Sequence, residues 1–235
     1  METTSRSSGN SSSTARVQVG DKEYVIDVEK IPYFESFLKF QQNAGQNTES
    51  LPTHNDVPFF DVINNGTHDG FRQFFRRMPT QLSDYHVLCE TLEFLAVDVL
   101  GGRNLHAIMQ DMRKAKSDWD REERREIKGL KTVARDSAFR LMYVFLLGEF
   151  GDDVKDSNMA FNITLFVVSH PSIFRYRTRK MIRAAFEERF CMSDKQRRGL
   201  DKWPIDDSSS KESQEEDSTT TSEESDDFDF DSDWS

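Results

Sequence analysis

The sequence has little cysteine and no long apolar segment. Two cysteines, Cys89 and Cys191, in 235 residues exclude a disulfide framework. The N-terminal residues lack the apolar core of a secretory signal. The longest apolar stretches, residues 141–150 and 160–171, are shorter than the roughly 20 residues that a membrane-spanning helix needs. We therefore expect a soluble protein of the reducing cytosol or the nucleus, neither secreted nor membrane-bound.

The negative charge is confined to the C-terminal end of the chain. The formal net charge is −11, yet residues 206–235 hold thirteen acidic residues and one lysine, a net of −12, which leaves about +1 for residues 1–205. Segments rich in acidic residues, Ser and Thr cannot bury enough apolar surface to fold alone. We predict a disordered acidic Ser/Thr tail at 204–235 and, on similar composition, disorder at 1–15.

The acidic tail carries two kinds of candidate site. Several hydroxyl residues have acidic residues just downstream, the context that an acid-directed kinase reads; these candidate phosphosites are Ser213, Thr220, Thr221, Ser222 and Ser225. Aromatic residues alternate with Asp at the end of the tail, a pattern typical of acidic docking segments; the candidate docking aromatics are Phe228, Phe230 and Trp234. A tail that only increases solubility remains an equal alternative.

Alternation of apolar and polar residues predicts a β-hairpin at residues 17–27. Val17 and Val19 alternate with polar residues before a Gly-Asp turn, and Tyr24 and Ile26 do so after it. A lone hairpin is marginal in water, so its apolar face must pack against other elements. The expected partners are helices that carry a set of apolar residues: Phe34, Phe71, Phe75, Leu92 and Leu95.

The rest of the N-terminal third is predicted as helices with one more strand. A helix follows Pro32, a third strand is expected at 57–63, and Pro79 ends a helix over 68–79. Another helix is expected from an N-cap at Ser83 to a stop at the glycine pair 101–102. Most of the nineteen Phe should be core, and a few exposed at a helix edge would mark a partner site.

The region 106–203 is predicted to be mostly helical. Its segment 159–170 is compatible with either a strand or a buried helix. The stretch 175–183 combines basic and aromatic residues, which can bind nucleic acid; this candidate basic patch comprises Arg175, Arg177, Arg179, Lys180 and Arg183. Because residues 1–205 carry only about +1, we favour a solvated helix face whose apolar side packs on the body.

No pattern in the sequence indicates catalysis, a metal or a cofactor. His86 and Cys89 are three residues apart on one predicted helix, but a zinc site needs more ligands, so a core histidine beside a buried thiol is the better interpretation. Cys191 follows a basic stretch without a partner for nucleophilic chemistry and is read as a half-buried structural thiol. No catalytic, metal or cofactor residue is therefore assigned.

Two segments carry a resemblance to a known family. "VQVGDKEYVIDVEKIPYFESFLKF" (17–40) resembles the opening hairpin and helix of BTB/POZ domains, and "HDGFRQFFRRMPTQLSDYHVLCETLEFLAVDVL" (68–100) resembles their later helix pair. The whole chain is also similar to fungal proteins that carry this domain. The resemblance implies a BTB/POZ domain at 16–105, which in that family often dimerises and in some members recruits a cullin scaffold.

The predicted fold is α+β: a BTB/POZ-like small sheet with helices, then a mostly helical C-terminal region and a disordered acidic tail. The predicted function is a non-enzymatic protein–protein interaction protein whose partners are proteins, either a second copy or a cullin scaffold. One alternative is a nucleic-acid- or chromatin-associated regulator using 175–183, with autoinhibition by the tail. A second is an enzyme with an unrecognised site.

Overall fold

The computed structural model describes residues 13–44, 51–115, 124–150 and 154–205. The described part is α+β and mostly helical, with one small three-stranded sheet near the N-terminus. This confirms the predicted fold class at that level. No helix among the described residues combines the length and the apolar character that crossing a bilayer requires.

The predicted hairpin forms two strands of the sheet. Strand β1 (Thr14–Val19) pairs antiparallel with β2 (Lys22–Asp27), with Val17 opposite Tyr24. Gly20, in the turn, has a φ of 58°, a left-handed conformation that glycine adopts without strain. Because side chains alternate along a strand, one face of the hairpin turns Val17, Val19 and Ile26 into the core, where each is at most 3% exposed.

The third strand lies earlier in the chain than predicted. Strand β3 is only Thr53–His54, which runs parallel to β1 and gives the strand order β2-β1-β3. The prediction of a strand at 57–63 is wrong, since helix α2 (Phe60–Asp69) covers most of that range. Its buried residues Phe60, Ile63 and Gly66 recur every three residues, so this short apolar run has a helical period that alternation alone could not reveal.

Nine helices account for most of the described chain. After α1 (Pro32–Asn43) and α2, a 3₁₀ turn (Phe71–Gln73) leads into the short helix α3 (Phe74–Arg77), which replaces the longer helix predicted at 68–79. The remaining helices are α4 (Leu82–Phe94), α5 (Leu105–Lys114), α6 (Arg124–Leu147), α7 (Val154–Val168), α8 (Tyr176–Arg189) and α9 (Asp194–Asp201).

Both predicted ends of helix α4 are wrong. The helix starts at Leu82, after the extended residue Gln81, rather than behind a Ser83 cap. It ends at Phe94, because Ala96 adopts a left-handed φ of 55° and the Val97 amide donates to the Leu92 carbonyl at 3.0 Å. The glycine pair 101–102 lies in the turn that follows.

The segment 159–170, for which the sequence allowed either a strand or a buried helix, is a helix. Residues up to Val168 belong to α7, in which Ala160, Ile163 and Val167 are buried at helical spacing. Its Thr164 hydroxyl donates to the Ala160 carbonyl at 2.8 Å, a bond within the helix that satisfies this buried polar group.

The hydrophobic core joins the sheet to helices on both sides of the predicted 105/106 boundary. All five predicted partners of the hairpin are buried: Phe34, Phe71, Phe75, Leu92 and Leu95. Phe139 of α6 is fully buried and contacts the rings of Phe74 (centroid distance 4.5 Å) and Phe71 (5.6 Å). Helix α6 therefore packs directly against the N-terminal third, and the described residues belong to one compact unit.

Candidate protein-binding surface

An aromatic stripe runs along one face of helix α1. Tyr33, Phe37 and Phe40 follow one another at i, i+4 and i+7, so they share a face, while Phe34 points into the core. Tyr33 and Phe37 are half-buried and stack at a centroid distance of 6.4 Å. Phe40 is 69% exposed. The stripe therefore presents aromatic surface to solvent.

The end of helix α4 extends this stripe. The Tyr33 amide donates to the Leu95 carbonyl at 3.3 Å, which holds the start of α1 against the end of α4. Phe94 consequently lies beside Tyr33, with ring centroids 4.6 Å apart, and is 53% exposed. Two turns before Phe94 on α4, Val87 is also exposed, at 39%.

His54 of strand β3 lies beside the aromatic rings of α1 and forms two hydrogen bonds there. The His54 Nδ1 lies 2.8 Å from the Asn55 carbonyl, which can only accept, so Nδ1 carries the proton of the neutral ring. The Nε2 atom then accepts from the Tyr33 hydroxyl at 2.8 Å. The ring also meets Phe37 edge-on at 5.2 Å. This bonding gives the surface a fixed geometry.

We call the resulting feature the aromatic surface; it comprises Tyr33, Phe37, Phe40, His54, Val87 and Phe94. It borders a shallow groove of about 330 Å³ between the β3–α2 connection and α4. Asp56 and Glu90 also line the groove, while the Thr91 hydroxyl donates within its own helix to the Val87 carbonyl at 2.7 Å. Three of the five exposed large apolar side chains in the described chain lie on the aromatic surface.

The aromatic surface was only partly predictable. The sequence predicts that some exposed Phe would mark a partner site, but not which ones. The signal was present in the spacing of Tyr33, Phe37 and Phe40, which define a second helix face beside the one that carries Phe34.

The predicted basic patch does not form one surface. Arg175, Arg177 and Lys180 are exposed, but Arg179 is only 8% exposed and donates to the Val168 carbonyl at 3.4 Å. Burial lowers the pKa of Arg179. The guanidinium of Arg179 is therefore a structural group of the α7–α8 packing.

Arg183, the last residue of the predicted basic patch, forms ion pairs with two neighbouring carboxylates. Arg183 pairs with Glu187 at 2.8 Å and with Asp201 of α9 at 2.5 Å. The apolar side of α8 is buried as expected: Met181, Ile182, Ala185 and Phe186. These positions favour a solvated, packed helix over a continuous nucleic-acid-binding face.

The cysteines and His86 are not brought together into a reactive site. Cys89 is fully buried, and burial, with a smaller effect of Glu90, raises the pKa of its thiol to about 12. His86 is not the core residue predicted: it lies at the surface, where its Nε2 contacts Glu188 of α8 at 2.7 Å. Cys191 is exposed, which corrects its prediction as half-buried. Across the described ranges, no group of three or more His, Cys, Asp and Glu could hold a metal ion.

The tail predictions fall on residues that the structure does not describe. The candidate phosphosites Ser213, Thr220, Thr221, Ser222 and Ser225 and the docking aromatics Phe228, Phe230 and Trp234 all lie outside the described ranges. They stay predictions from sequence.

Comparison with known proteins gives no relative from which a role could be transferred. No family model, no curated protein and no solved structure matches the chain. The BTB/POZ resemblance therefore stays a prediction, and the function must be inferred from the surface itself.

Proposed function

We propose that the chain is a non-enzymatic protein–protein interaction protein of BTB/POZ type that self-associates through its aromatic surface. The observation that carries the proposal is the exposure of Phe40 (69%) and Phe94 (53%) on one surface. Burying a Phe side chain contributes about 1.5–3 kcal/mol, so two such rings in each of two copies supply a substantial part of a dimer interface. Large exposed aromatic surface of this kind is typical of interaction sites.

A second copy is the occupant that the BTB/POZ resemblance favours. A two-fold dimer brings the same patch of both copies together, so the patch must be compatible with itself. Glu35 and Lys39 of α1 pair with each other at 2.5 Å on the side of the helix away from the aromatic stripe. The order of hairpin, α1, β3 and further helices also agrees with the order of elements that the BTB/POZ resemblance implies.

Sedimentation velocity over a range of concentrations tests self-association. The unaltered chain is expected to dimerise, and Phe40→Ser/Phe94→Ser to weaken dimerisation by about ten-thousandfold, since the dimer loses four rings that contribute about 1.5 kcal/mol each. The matched control is Val25→Ser/Val133→Ser, which removes two exposed apolar side chains (54% and 37%) elsewhere. A monomer at all concentrations, or equal loss in the control, would contradict the proposal.

The same variants separate self-association from recruitment of a cullin scaffold, the other partner that the resemblance implies. A purified cullin is mixed with the unaltered chain and with Phe40→Ser/Phe94→Ser. Binding that persists in the monomeric variant would place the cullin on a different surface. Cullin binding that disappears while the unaltered chain is a monomer would assign the aromatic surface to the cullin instead of a second copy.

A further inference from the structure

The shallow groove beside the aromatic surface has a carboxylate on each of its two walls. Asp56, exposed in the β3–α2 connection, lies on one wall, and Glu90, exposed on α4, lies on the other. Among the described residues, no Lys or Arg lines the groove. The ring of His54 is neutral, since Nδ1 carries its proton and Nε2 accepts from the Tyr33 hydroxyl. The lining therefore offers two negative charges and no positive one.

The negative charge of the groove acts on ionisable groups behind both walls. Behind α4, burial and then the charge of Glu90 raise the pKa of the Cys89 thiol to about 12. On the other side, burial and Asp61 raise the pKa of the Tyr24 hydroxyl to about 12, and the charge of Asp56 adds to that effect. Both shifts have the sign that a nearby negative charge produces, and the same charge favours a cationic ligand over an anionic one.

Apolar side chains make up much of the remaining lining. Val57 is only 4% exposed, Pro58 follows it, and Val87 and the Phe94 ring project from α4. The aliphatic stem of a long side chain can lie along such a surface while its charged end reaches the rim. A volume of about 330 Å³ is at the small end of ligand pockets, so the groove suits one side chain and its flanking residues rather than a whole helix.

This combination of groups matches the side chain of arginine. Its guanidinium is a planar fork of N–H donors that pairs with carboxylates, and its face stacks on aromatic rings. It is also more weakly hydrated than an ammonium, so it loses less when it leaves water. Lysine brings the same charge as a single point and offers no planar face to the Phe94 ring. The groove therefore favours arginine over lysine.

We propose that the groove binds an arginine side chain from a segment of a partner protein, with the guanidinium between Asp56 and Glu90 and its face against Phe94. This goes beyond self-association, because the ligand is not a second copy. Phe40, whose exposed ring the dimer needs, does not line the groove. Binding is therefore measured in Phe40→Ser at concentrations where that variant is a monomer, and the failure of one proposal is distinguished from the failure of the other.

The test titrates the isotopically labelled full chain, carrying Phe40→Ser, with peptides of the form Gly-Ser-Leu-X-Leu-Ser-Gly. X is arginine, lysine or citrulline, which has the shape of arginine without its charge. Amide chemical shifts in NMR spectra report the site and the affinity. The arginine peptide is expected to shift the amides of residues 54–58 and 87–94 and to bind about tenfold tighter than the citrulline peptide. The lysine peptide should lie between them, and high salt should reduce the difference.

Substitutions in the same Phe40→Ser background assign the binding to the groove. Asp56→Asn/Glu90→Gln keeps the shape of both side chains and removes their charge, so it should lower the affinity for the arginine peptide by about tenfold. Phe94→Leu should lower it by about two- to fivefold, because the contact between cation and ring is lost. The control is Asp69→Asn/Glu126→Gln, which changes the net charge equally at exposed positions outside the groove and should leave the affinity unchanged.

Several results would overturn the proposal. They are the absence of binding by the arginine peptide, equal affinity for the arginine and citrulline peptides, and shifts confined to residues outside the groove. Unchanged affinity in Asp56→Asn/Glu90→Gln, or an equal loss in the control, would overturn it as well. Equal affinity for the arginine and lysine peptides would overturn the assignment to arginine. The amide spectrum of each variant without peptide checks that the fold is kept.

Discussion

Replacing Phe139 by alanine is expected to lower the free energy of unfolding by about 3–5 kcal/mol. Phe139 is fully buried, and its ring lies 4.5 Å from that of Phe74 and 6.0 Å from that of Phe75, measured between centroids. It is supplied by α6, whereas its partners come from the segment around α3. The substitution therefore opens a cavity where α6 packs on the N-terminal third. Urea unfolding followed by circular dichroism measures the loss.

The matched control for Phe139→Ala is Phe40→Ala, which removes the same ring at a position that is 69% exposed. Under dilute, monomeric conditions its effect should stay within about 0.5 kcal/mol, as for most surface substitutions. A small loss for Phe139→Ala, or two separate unfolding transitions in the unaltered chain, would show that α6 and the N-terminal third do not share one cooperative core.

Alanine at Gly66 is expected to destabilise the protein by about 1–3 kcal/mol, although alanine normally favours a helix. A Cβ atom at Gly66 would lie 2.3 Å from Cζ and 2.7 Å from Cε1 of Phe74. The Phe74 ring is 1% exposed and held by Phe71 and Phe139, so it has little room to move. Thermal unfolding of the variant measures the effect.

Gly129→Ala, in helix α6, is the control with the opposite expected sign. A Cβ atom at Gly129 meets nothing within 4 Å, so the substitution should stabilise the protein by about 1 kcal/mol through helix propensity alone. Phe74→Leu should recover part of the loss in the Gly66→Ala background, because the smaller side chain makes room for the methyl group. If Gly66→Ala and Gly129→Ala changed the stability in the same direction, the close approach of Gly66 to Phe74 would be refuted.

The sequence predicted the hairpin and the hydrophobic core best because both depend on local patterns. Alternation of Val17 and Val19 places them on one face of a strand, and helical spacing identifies Leu92 and Leu95 as core. The two-residue strand β3 carried no such signal, because its pairing with β1 is a long-range contact. The run 57–63 was too short for its period to separate helix from strand.

The candidate sites required the tertiary structure. The exposure of Phe94 follows from where α4 ends, and that end is set by the left-handed conformation of Ala96 rather than by a glycine. The contacts of Arg72 with Thr132 and of the Phe71 amide with Asp136 join residues that are 60 and 65 positions apart in sequence. The sequence instead grouped the basic residues of 175–183 because they are neighbours in the chain, and helix α8 directs them to different surroundings.

Photo-cross-linking of the purified chain tests the aromatic surface as a self-association site most directly. The photoreactive amino acid p-benzoylphenylalanine replaces Phe94 in one sample and Val25, also exposed, in another. After irradiation, mass spectrometry identifies the linked residues. Covalent dimers are expected only from position 94, joined to α1, β3 or α4 of the second copy. Dimers that form equally from position 25, or cross-links from position 94 only within one copy, would contradict it.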